Sequence, residues 1–209
     1  MKILVFLLAL ASLTACTSIP VTAPATAVDA AAVMRHQANL AQLDDWTLRG
    51  QLAIFDLTAD ERHAVYIDWQ QTPASLSMRL SHPLKGTLAR LEQSPLGATL
   101  TDEDGMTWQA PSAQQLLSQY FGLDLPLDLM RDLVLGRQLP GMSAREFTLH
   151  GQPPDELALL SSYQLQAAGQ QWQASLSQYA AVDGVQLPHN FHLSAPAWRI
   201  KLRITQWQI

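Results

Sequence analysis

Residues 75–81, Ser-Leu-Ser-Met-Arg-Leu-Ser, alternate between polar and apolar side chains at every position. Because successive side chains of a β-strand point to opposite faces, this segment predicts a strand with its three apolar residues toward the core. The compact sequence His-Pro-Leu-Lys-Gly follows at 82–86, and residues 87–91 resume a strand pattern. The stretch therefore predicts an antiparallel hairpin.

Patterns of period two continue on both sides of this hairpin. Residues 46–55 and 62–70 alternate upstream of it, and residues 98–101 and 106–108 flank an Asp-Gly turn downstream. Further strands are predicted at 146–150, 156–166, 171–177, 186–194 and 198–207. These strands predict a protein that is mainly β with some α, built on one strongly curved antiparallel sheet, an open, half-closed β-barrel of about eleven strands.

Three segments predict helices. Asp29 is placed to cap an alanine-rich helix at 30–43, which we expect to lie on a surface because its apolar stripe is broken. That stripe consists of Val33, Met34, Leu40 and Leu43. Residues 113–121 and 127–135 each carry one apolar stripe and stop before a glycine. We expect these two helices to form a lid over the concave face of the sheet.

Composition limits the classes of function. The chain has 209 residues, of which 48% are hydrophobic and 15% charged, so one domain with an ample core is expected. Its net charge of −5 argues against general binding to nucleic acid or to an anionic membrane, both of which favour a basic excess. The single cysteine, Cys16, excludes an internal disulfide and a cysteine-rich metal cluster.

The first fifteen residues have the features of a secretory signal. Lys2 is the only charge before Asp29, and the apolar run that follows it is too short for a spanning helix, which needs about 20 residues. The sequence Leu-Thr-Ala-Cys at 13–16 resembles the bacterial lipobox, whose cysteine becomes the acylated first residue. We therefore predict a signal peptide at 1–15, a lipidated flexible tether at 16–28 and one folded domain at 29–209.

No pattern of a catalytic site is legible in the sequence. It contains no Gly-x-Ser-x-Gly elbow, no glycine-rich phosphate loop and no His-Glu-x-x-His. Among the six histidines only His189 and His192 are close in sequence, and on an extended chain they point to opposite faces. We therefore expect no enzymatic activity, no cofactor and no metal site.

Ten aromatic or methionine side chains occupy positions that we expect to face the interior. They either complete an ordinary core or line a cavity for an apolar ligand without a fixed shape. The ten are Trp46, Tyr66, Trp69, Met78, Met106, Trp108, Tyr120, Phe121, Met130 and Trp172.

Two features are expected at the surface. The turn at 82–86 places Leu84 at its tip beside Lys85; an exposed leucine is usually unremarkable, but next to a membrane this arrangement favours insertion. The last strand places Arg199, Lys201 and Arg203 on one face. That face either is merely solvated or contacts an acidic partner or lipid headgroups.

Taken together, the motifs resemble the LolB family of outer-membrane lipoprotein receptors. The matching motifs are the lipobox, Trp46-x-x-Arg49-Gly50, Trp69-Gln70-Gln71, Pro83-Leu84-x-Gly86, Leu125-Pro126-Leu127 before Leu135-Gly136, and Arg199-Ile200-Lys201-Leu202. The resemblance covers residues 1–209 in the family's order. Lys85 departs from it, since the family often has glycine there.

The resemblance implies a periplasm-facing, lipid-anchored protein of the outer membrane, whose sheet and lid enclose an apolar cavity. Such a protein accepts acylated lipoproteins from the soluble carrier LolA and inserts them into outer-membrane lipid without ATP, and we expect it to be a monomer. Leu84 matches the family's protruding leucine, implicated in insertion, and Thr17 in place of aspartate points to the outer membrane. A structural lipoprotein that braces an outer-membrane assembly complex is the alternative, and a lipid-active hydrolase ranks last.

The expected sites follow from this interpretation. Cys16 is the lipidation site and Leu84 the insertion residue. Candidates for contact with a partner or with headgroups are Lys85, Arg199, Lys201 and Arg203. Candidates for the acyl cavity are Trp46, Ile54, Val65, Ile67, Trp69, Met78, Leu80, Leu117, Tyr120, Phe121, Leu129, Leu133 and Trp172.

Overall fold

The computed structural model describes residues 28–122 and 125–209 of the chain, except for the side chain of Phe121. In chain order the strands are β1 (Trp46–Asp56), β2 (Glu61–Gln71), β3 (Leu76–His82), β4 (Gly86–Ser94), β5 (Gly97–Asp102), β6 (Thr107–Ala110), β7 (Met142–His150), β8 (Leu157–Ala167), β9 (Gln170–Ser177), β10 (Ala180–Val182), β11 (Val185–Leu187), β12 (Asn190–Ser194) and β13 (Trp198–Gln208). The helices are α1 (Ala30–Leu40), α2 (Ala113–Phe121) and α3 (Leu127–Leu133).

Eleven of these strands form one antiparallel sheet in the order β6-β5-β4-β3-β2-β1-β13-β12-β9-β8-β7. Each of the first six strands pairs with its neighbour in sequence, and β13 lies between β1 and β12 and joins the two halves of the sheet. Among the described residues β6 and β7 do not pair, so the sheet is not closed. The prediction of a mainly β protein with one open sheet of about eleven strands is confirmed.

The two ends of the sheet differ. Because β1 to β6 alternate in direction, the turns after β1, β3 and β5 meet at one end, and the turns after β2 and β4 meet at the other. We call the first end, which carries the turn between β3 and β4, the Leu84 end. The second, where β1 begins, is the Trp46 end.

Helix α1 packs on the sheet through a different face from the one predicted. The Asp29 side chain accepts a hydrogen bond from the amide of Ala31 at 3.0 Å, as expected of a helix cap. The buried residues are Ala32, His36 and Leu40, four apart, whereas Met34 is 64% exposed. The predicted apolar stripe is right for Leu40 and Leu43, which are buried, and wrong for Met34, because small Ala32 and hydrogen-bonded His36 turn inward instead. The His36 Nε2 atom lies 2.9 Å from the carbonyl oxygen of Gln186.

The single strand predicted at 186–194 is also wrong, since it is divided into β11 and β12. Among the described strands β11 pairs with β10 alone, while β12 enters the large sheet. Pro188 lies between them and has no amide hydrogen to donate to a sheet. Its carbonyl oxygen accepts a hydrogen bond from the buried indole of Trp207 at 2.9 Å, which fixes the break.

Helices α2 and α3 cover part of the concave face. α2 is capped by the Ser112 side chain and ends at Gly122, whose φ of 61° a residue without Cβ adopts readily. α3 is shorter than predicted and ends at Leu133, and the residues that follow it, Val134 and Leu135, are fully buried. Within the described part of the chain, no helix has the length and apolar character needed to cross a membrane.

Candidate functional site

On strands β1 to β3, the inner face of the sheet is well packed at the Trp46 end and only partly covered at the Leu84 end. A row of inner-face side chains nearer the Trp46 end is at most 8% exposed: Leu48, Trp69, Met78, Leu91 and Leu100. Closer to the Leu84 end, the inner-face side chains are only half-buried: Leu52, Ile54, Val65 and Leu80. On the neighbouring strand β13, the inner-face residues Ile200 and Leu202, which pair with Ile54 and Leu52, are at most 3% exposed.

Aromatic packing and one arginine close the Trp46 end. The ring of Trp46 lies 5.0 Å from that of Trp69 and 5.5 Å from that of Trp207, between ring centroids. Near them, the Arg137 guanidinium donates to the carbonyl oxygens of Leu40 and Leu43, at 2.7 Å each from Nη2. Leu40 is the last residue of α1 and Leu43 follows the helix, so Arg137 ties the segment after α3 to the end of α1.

Helix α2 is the element that covers the inner face over the edge strands. At its beginning, the amide of Ala113 donates to the Gln93 side chain at 2.6 Å, and Leu116 is fully buried. At its other end, the ring of Tyr120 lies 5.3 Å from that of Trp108, between centroids. Tyr120 is nevertheless 46% exposed, so this end of α2 is attached more weakly than the first.

The predicted cavity residues divide into two groups according to how deeply their side chains are buried. Six belong to the packed core: Trp46, Ile67, Trp69, Met78, Leu133 and Trp172. Five are half-buried and border the partly covered region: Ile54, Val65, Leu80, Leu117 and Leu129. Tyr120 lies at the outer end of α2, while Cys16 and the side chain of Phe121 lie outside the described residues. A role in binding acyl chains stays a prediction for both groups.

Two of the residues predicted to face the interior do not. Tyr66 is 45% exposed because it lies on the opposite, outer face of β2, one position from inner-face Val65. Met106 is 61% exposed because it belongs to the turn between β5 and β6.

Five buried side-chain polar atoms have no hydrogen-bond partner among the described residues, and two of them belong to the aromatic core. These two are Nε1 of Trp69 and the hydroxyl of Tyr163, both in side chains of the large core cluster. Burial, with a smaller contribution from nearby Tyr179, raises the pKa of Tyr163 far above its usual value, so this hydroxyl keeps its proton. Both groups are therefore hydrogen-bond donors in apolar surroundings.

The Leu84 turn projects from the sheet. Leu84 is 91% exposed, and its amide donates to Nδ1 of His82 at 3.2 Å. Gly86 closes the turn with a φ of 79°. Leu57 and Met106, in the neighbouring turns at the same end, are also exposed. This end therefore presents apolar side chains beside the partly covered inner face.

The outer face of the sheet is cationic near the Leu84 end. Arg199, Lys201 and Arg203 are exposed there, as the alternation predicted. Sequence reasoning missed Arg62 and Phe55, which the antiparallel register places opposite each other on the same face. Pairing the predicted strands β1 and β2 in antiparallel register would have shown that these two residues share the outer face.

The described residues contain no group of three histidine, cysteine, aspartate or glutamate side chains placed to hold a metal ion. His189 lies just before β12 and His192 lies on it. The side chain of His192 points to the outer face, with Lys201 as its neighbour.

Comparison with known proteins yields one consistent family. A sequence model described as "Outer membrane lipoprotein LolB" matches residues 44–207. The outer-membrane lipoprotein LolB of Yersinia enterocolitica is 30% identical over 200 residues, covering 94% of this chain and 91% of that protein. LolB of Psychromonas ingrahamii is 28% identical over 172 residues, covering 82% and 80%. A solved LolA superfamily protein from Nitrosomonas europaea has a similar fold, with a TM-score of 0.52 at 7% identity, covering 86% and 92%.

Proposed function

Because the chain belongs to the LolB family of lipid-anchored outer-membrane lipoproteins, we propose that it accepts acylated lipoproteins from LolA and inserts them into the outer membrane without ATP. The observation that carries this proposal is the difference in burial along the inner face of β1 to β3, where side chains are half-buried at the Leu84 end and buried at the Trp46 end. An acyl chain entering from the Leu84 end meets apolar side chains under α2.

Burial of apolar surface supplies the energy for acceptance. Each CH₂ group removed from water contributes about 0.8 kcal/mol, so acyl chains bind without directional contacts. With no chemical energy source, the client moves from carrier to receptor to bilayer only if each site binds it more favourably than the last. The receptor must therefore bind acyl chains firmly enough to take them from the carrier and weakly enough to release them.

The weakly attached end of α2 is the part that we expect to move. Its aromatic contact with Trp108 is worth about 0.5–1.5 kcal/mol beyond area burial, which thermal motion breaks readily. The beginning of the helix, held by the Ser112 cap and by Gln93, acts as the hinge. Opening at Tyr120 exposes the half-buried residues Leu117 and Leu129.

The Leu84 turn delivers the client to the membrane. A leucine side chain gains about 1.5–3 kcal/mol on leaving water, so its fully exposed position favours entry into lipid. Lys85 follows it in the turn and is suited to meet headgroups. Insertion of the tip brings the open end of the inner face to the bilayer surface.

Acceptance is tested by transfer from the carrier. The mature chain with Cys16→Ala, which lacks the acyl anchor, is mixed with LolA loaded with an acylated lipoprotein, and the client is followed by pull-down. We expect the client to move to the receptor. No transfer at any receptor concentration would contradict the proposal and favour the bracing alternative.

Insertion is tested with two matched leucines. Leu96 is 99% exposed, in a Pro-Leu-Gly turn at the other end of β4. We expect Leu84→Glu to leave acceptance intact but to block release of the client into vesicles, and Leu96→Glu to change neither step. If Leu84→Glu abolishes acceptance and spares insertion, the role given to this turn is wrong.

A further inference from the structure

Basic side chains are concentrated on the outer face of the sheet. The strand register places seven of the chain's 13 lysines and arginines there: Arg49, Arg62, Arg79, Arg90, Arg199, Lys201 and Arg203. The chain as a whole carries a net charge of −5, so this face differs in sign from the molecule that bears it. Such segregation indicates a surface for an anionic partner.

A trough is built into this face. It has a volume of about 460 Å³ and crosses β1, β2, β13 and β12. Its lining includes Ala53 and Ala64, which lie directly opposite each other in the register and leave space between longer neighbours. The basic side chains of the lining are Arg62, Lys201 and Arg203, and none of its residues is acidic. The trough falls within the range of about 300–1,000 Å³ usual for small-molecule sites.

Three cations converge at one side of this trough on a single aromatic ring. The charged groups of Arg62, Arg199 and Lys201 lie 5.5, 6.0 and 5.7 Å from the centroid of Phe55. The ring attracts each of them, but the three positive charges repel one another. Bringing an anion to this point relieves that repulsion.

Two other cations on the same face are already neutralised, whereas Arg90 forms no ion pair with a described carboxylate. Arg49 and Arg79 contact the Asp68 carboxylate at 3.1 and 3.3 Å. Within the described part of the chain, neither the three cations at Phe55 nor Arg203 forms an ion pair with a carboxylate. Three of the cations on this face that form no ion pair, Arg62, Lys201 and Arg203, therefore line the trough.

The trough adjoins the Leu84 turn. His82 and Pro83, the two residues before Leu84, belong to its lining. A ligand in the trough therefore lies beside the apolar tip. Of the possible anionic partners, a membrane surface is the one that engages an apolar tip and a cationic trough at once.

We propose that this trough binds the phosphate groups of anionic phospholipids in the membrane that the Leu84 turn enters. The proposal rests on the proposed function, since it requires that this turn meets lipid. It assigns the trough to headgroups and the inner face to acyl chains, on opposite sides of one sheet. Phosphate binding then holds the molecule against the bilayer while the client leaves the inner face.

The test compares two double variants that remove the same charge from the mature Cys16→Ala chain. Lys201→Gln with Arg203→Gln alters the trough, and Arg131→Gln with Arg145→Gln alters exposed arginines on α3 and β7, outside its lining. Binding is measured by flotation with phosphatidylethanolamine vesicles that contain or lack phosphatidylglycerol. A basic residue near an anionic surface contributes about a fivefold gain in binding, so the trough variant should bind anionic vesicles about 25-fold more weakly. The control should bind them like the parent.

The other outcomes separate the two proposals. Equal losses in both variants, or none in the trough variant, would overturn the headgroup site, while transfer from LolA would still measure the proposed function. Loss of transfer from LolA with unchanged vesicle binding would assign the trough to the carrier. Binding of glycerol phosphate in solution as tight as that of vesicles would show a small-molecule site.

Discussion

Gly50 occupies the most restricted position in the sheet. A Cβ atom on this residue would overlap the carbonyl oxygen of Arg203, in the backbone of the neighbouring strand. The pairing of β1 with β13 shifts register between Arg49 and Gly50, so the irregularity brings the two backbones together here.

We therefore expect Gly50→Ala to lower the free energy of unfolding by about 1–3 kcal/mol, because the backbones must move apart. Urea denaturation measures this loss. The comparison is Gly86→Ala, where the added Cβ has open space and only the φ of 79° opposes it. Its cost should be about 1 kcal/mol. A larger loss at Gly86 than at Gly50 would contradict the overlap argument.

Arg137 is the second residue with a role beyond its own element. Its side chain is 19% exposed, and besides the two carbonyls after α1 it contacts the Asp132 carboxylate at 2.7 Å. Removing it takes the charged donor from these acceptors, of which Leu40 keeps the amide of Leu43 and Asp132 keeps Arg131. Hydrogen bonds to charged groups contribute about 1.5–3 kcal/mol.

Arg137→Ala is accordingly expected to reduce the free energy of unfolding by about 2–4 kcal/mol, measured by urea denaturation. Arg131→Ala is the matched control, since Arg131 is half exposed and its contact with Asp132 is longer, at 3.5 Å. That surface pair should contribute less than about 1 kcal/mol. Similar losses in both variants would show that Arg137 does not join α1 to α3.

At the scale of elements, α2 behaves as a cover because its two ends are attached unequally. Tyr120→Ala removes the contact with Trp108, so local opening of the second half of α2 should become about 2- to 10-fold more frequent. Amide hydrogen exchange measures this directly. Exposed Gln119→Ala is the control and should change little. If protection falls throughout the sheet, the cover does not move as a separate element.

The strands and turns of the first half were predictable because alternation, a Pro-Leu-Lys-Gly turn and an Asp-Gly turn are local signals. The face of α1 was not, since His36 turns inward to meet Gln186, a partner 150 residues away in sequence. The break at Pro188 likewise depends on Trp207, which lies 19 residues away in sequence on β13. The Leu84 tip and the basic row of β13 were visible in the sequence, whereas the trough required the register of four strands.

At the scale of the whole molecule, buried His36 links the stability of the fold to pH. Burial lowers its pKa below the ordinary value of 6.5, outweighing the hydrogen bond to Gln186, with a further lowering by His150. The unfolded chain therefore binds a proton at this site at higher pH than the folded one. Its contribution to stability is complete above about pH 6.5 and is lost as the pH falls toward the lowered pKa.

We expect the urea concentration at the midpoint of denaturation to decrease when the pH is lowered from 7.5 to 5.5. His36→Gln should make this dependence of the midpoint on pH less steep. The substitution should not remove the pH dependence entirely, because burial and Lys201 also lower the pKa of His192. Exposed His63→Gln is the control. An unchanged slope in His36→Gln would contradict the assignment.

The central place of β13 has a consequence for the order of folding. β13 follows all its neighbours along the chain, and its partner β1 precedes it by about 150 residues. The meander from β1 to β6 forms from local contacts, but closing so long a loop is entropically slow. During export from the N-terminus onward, the first six strands therefore emerge early and lack their partner β13 until it follows them. Until it arrives, the exposed backbone edge of β1 is the site where we expect misassembly.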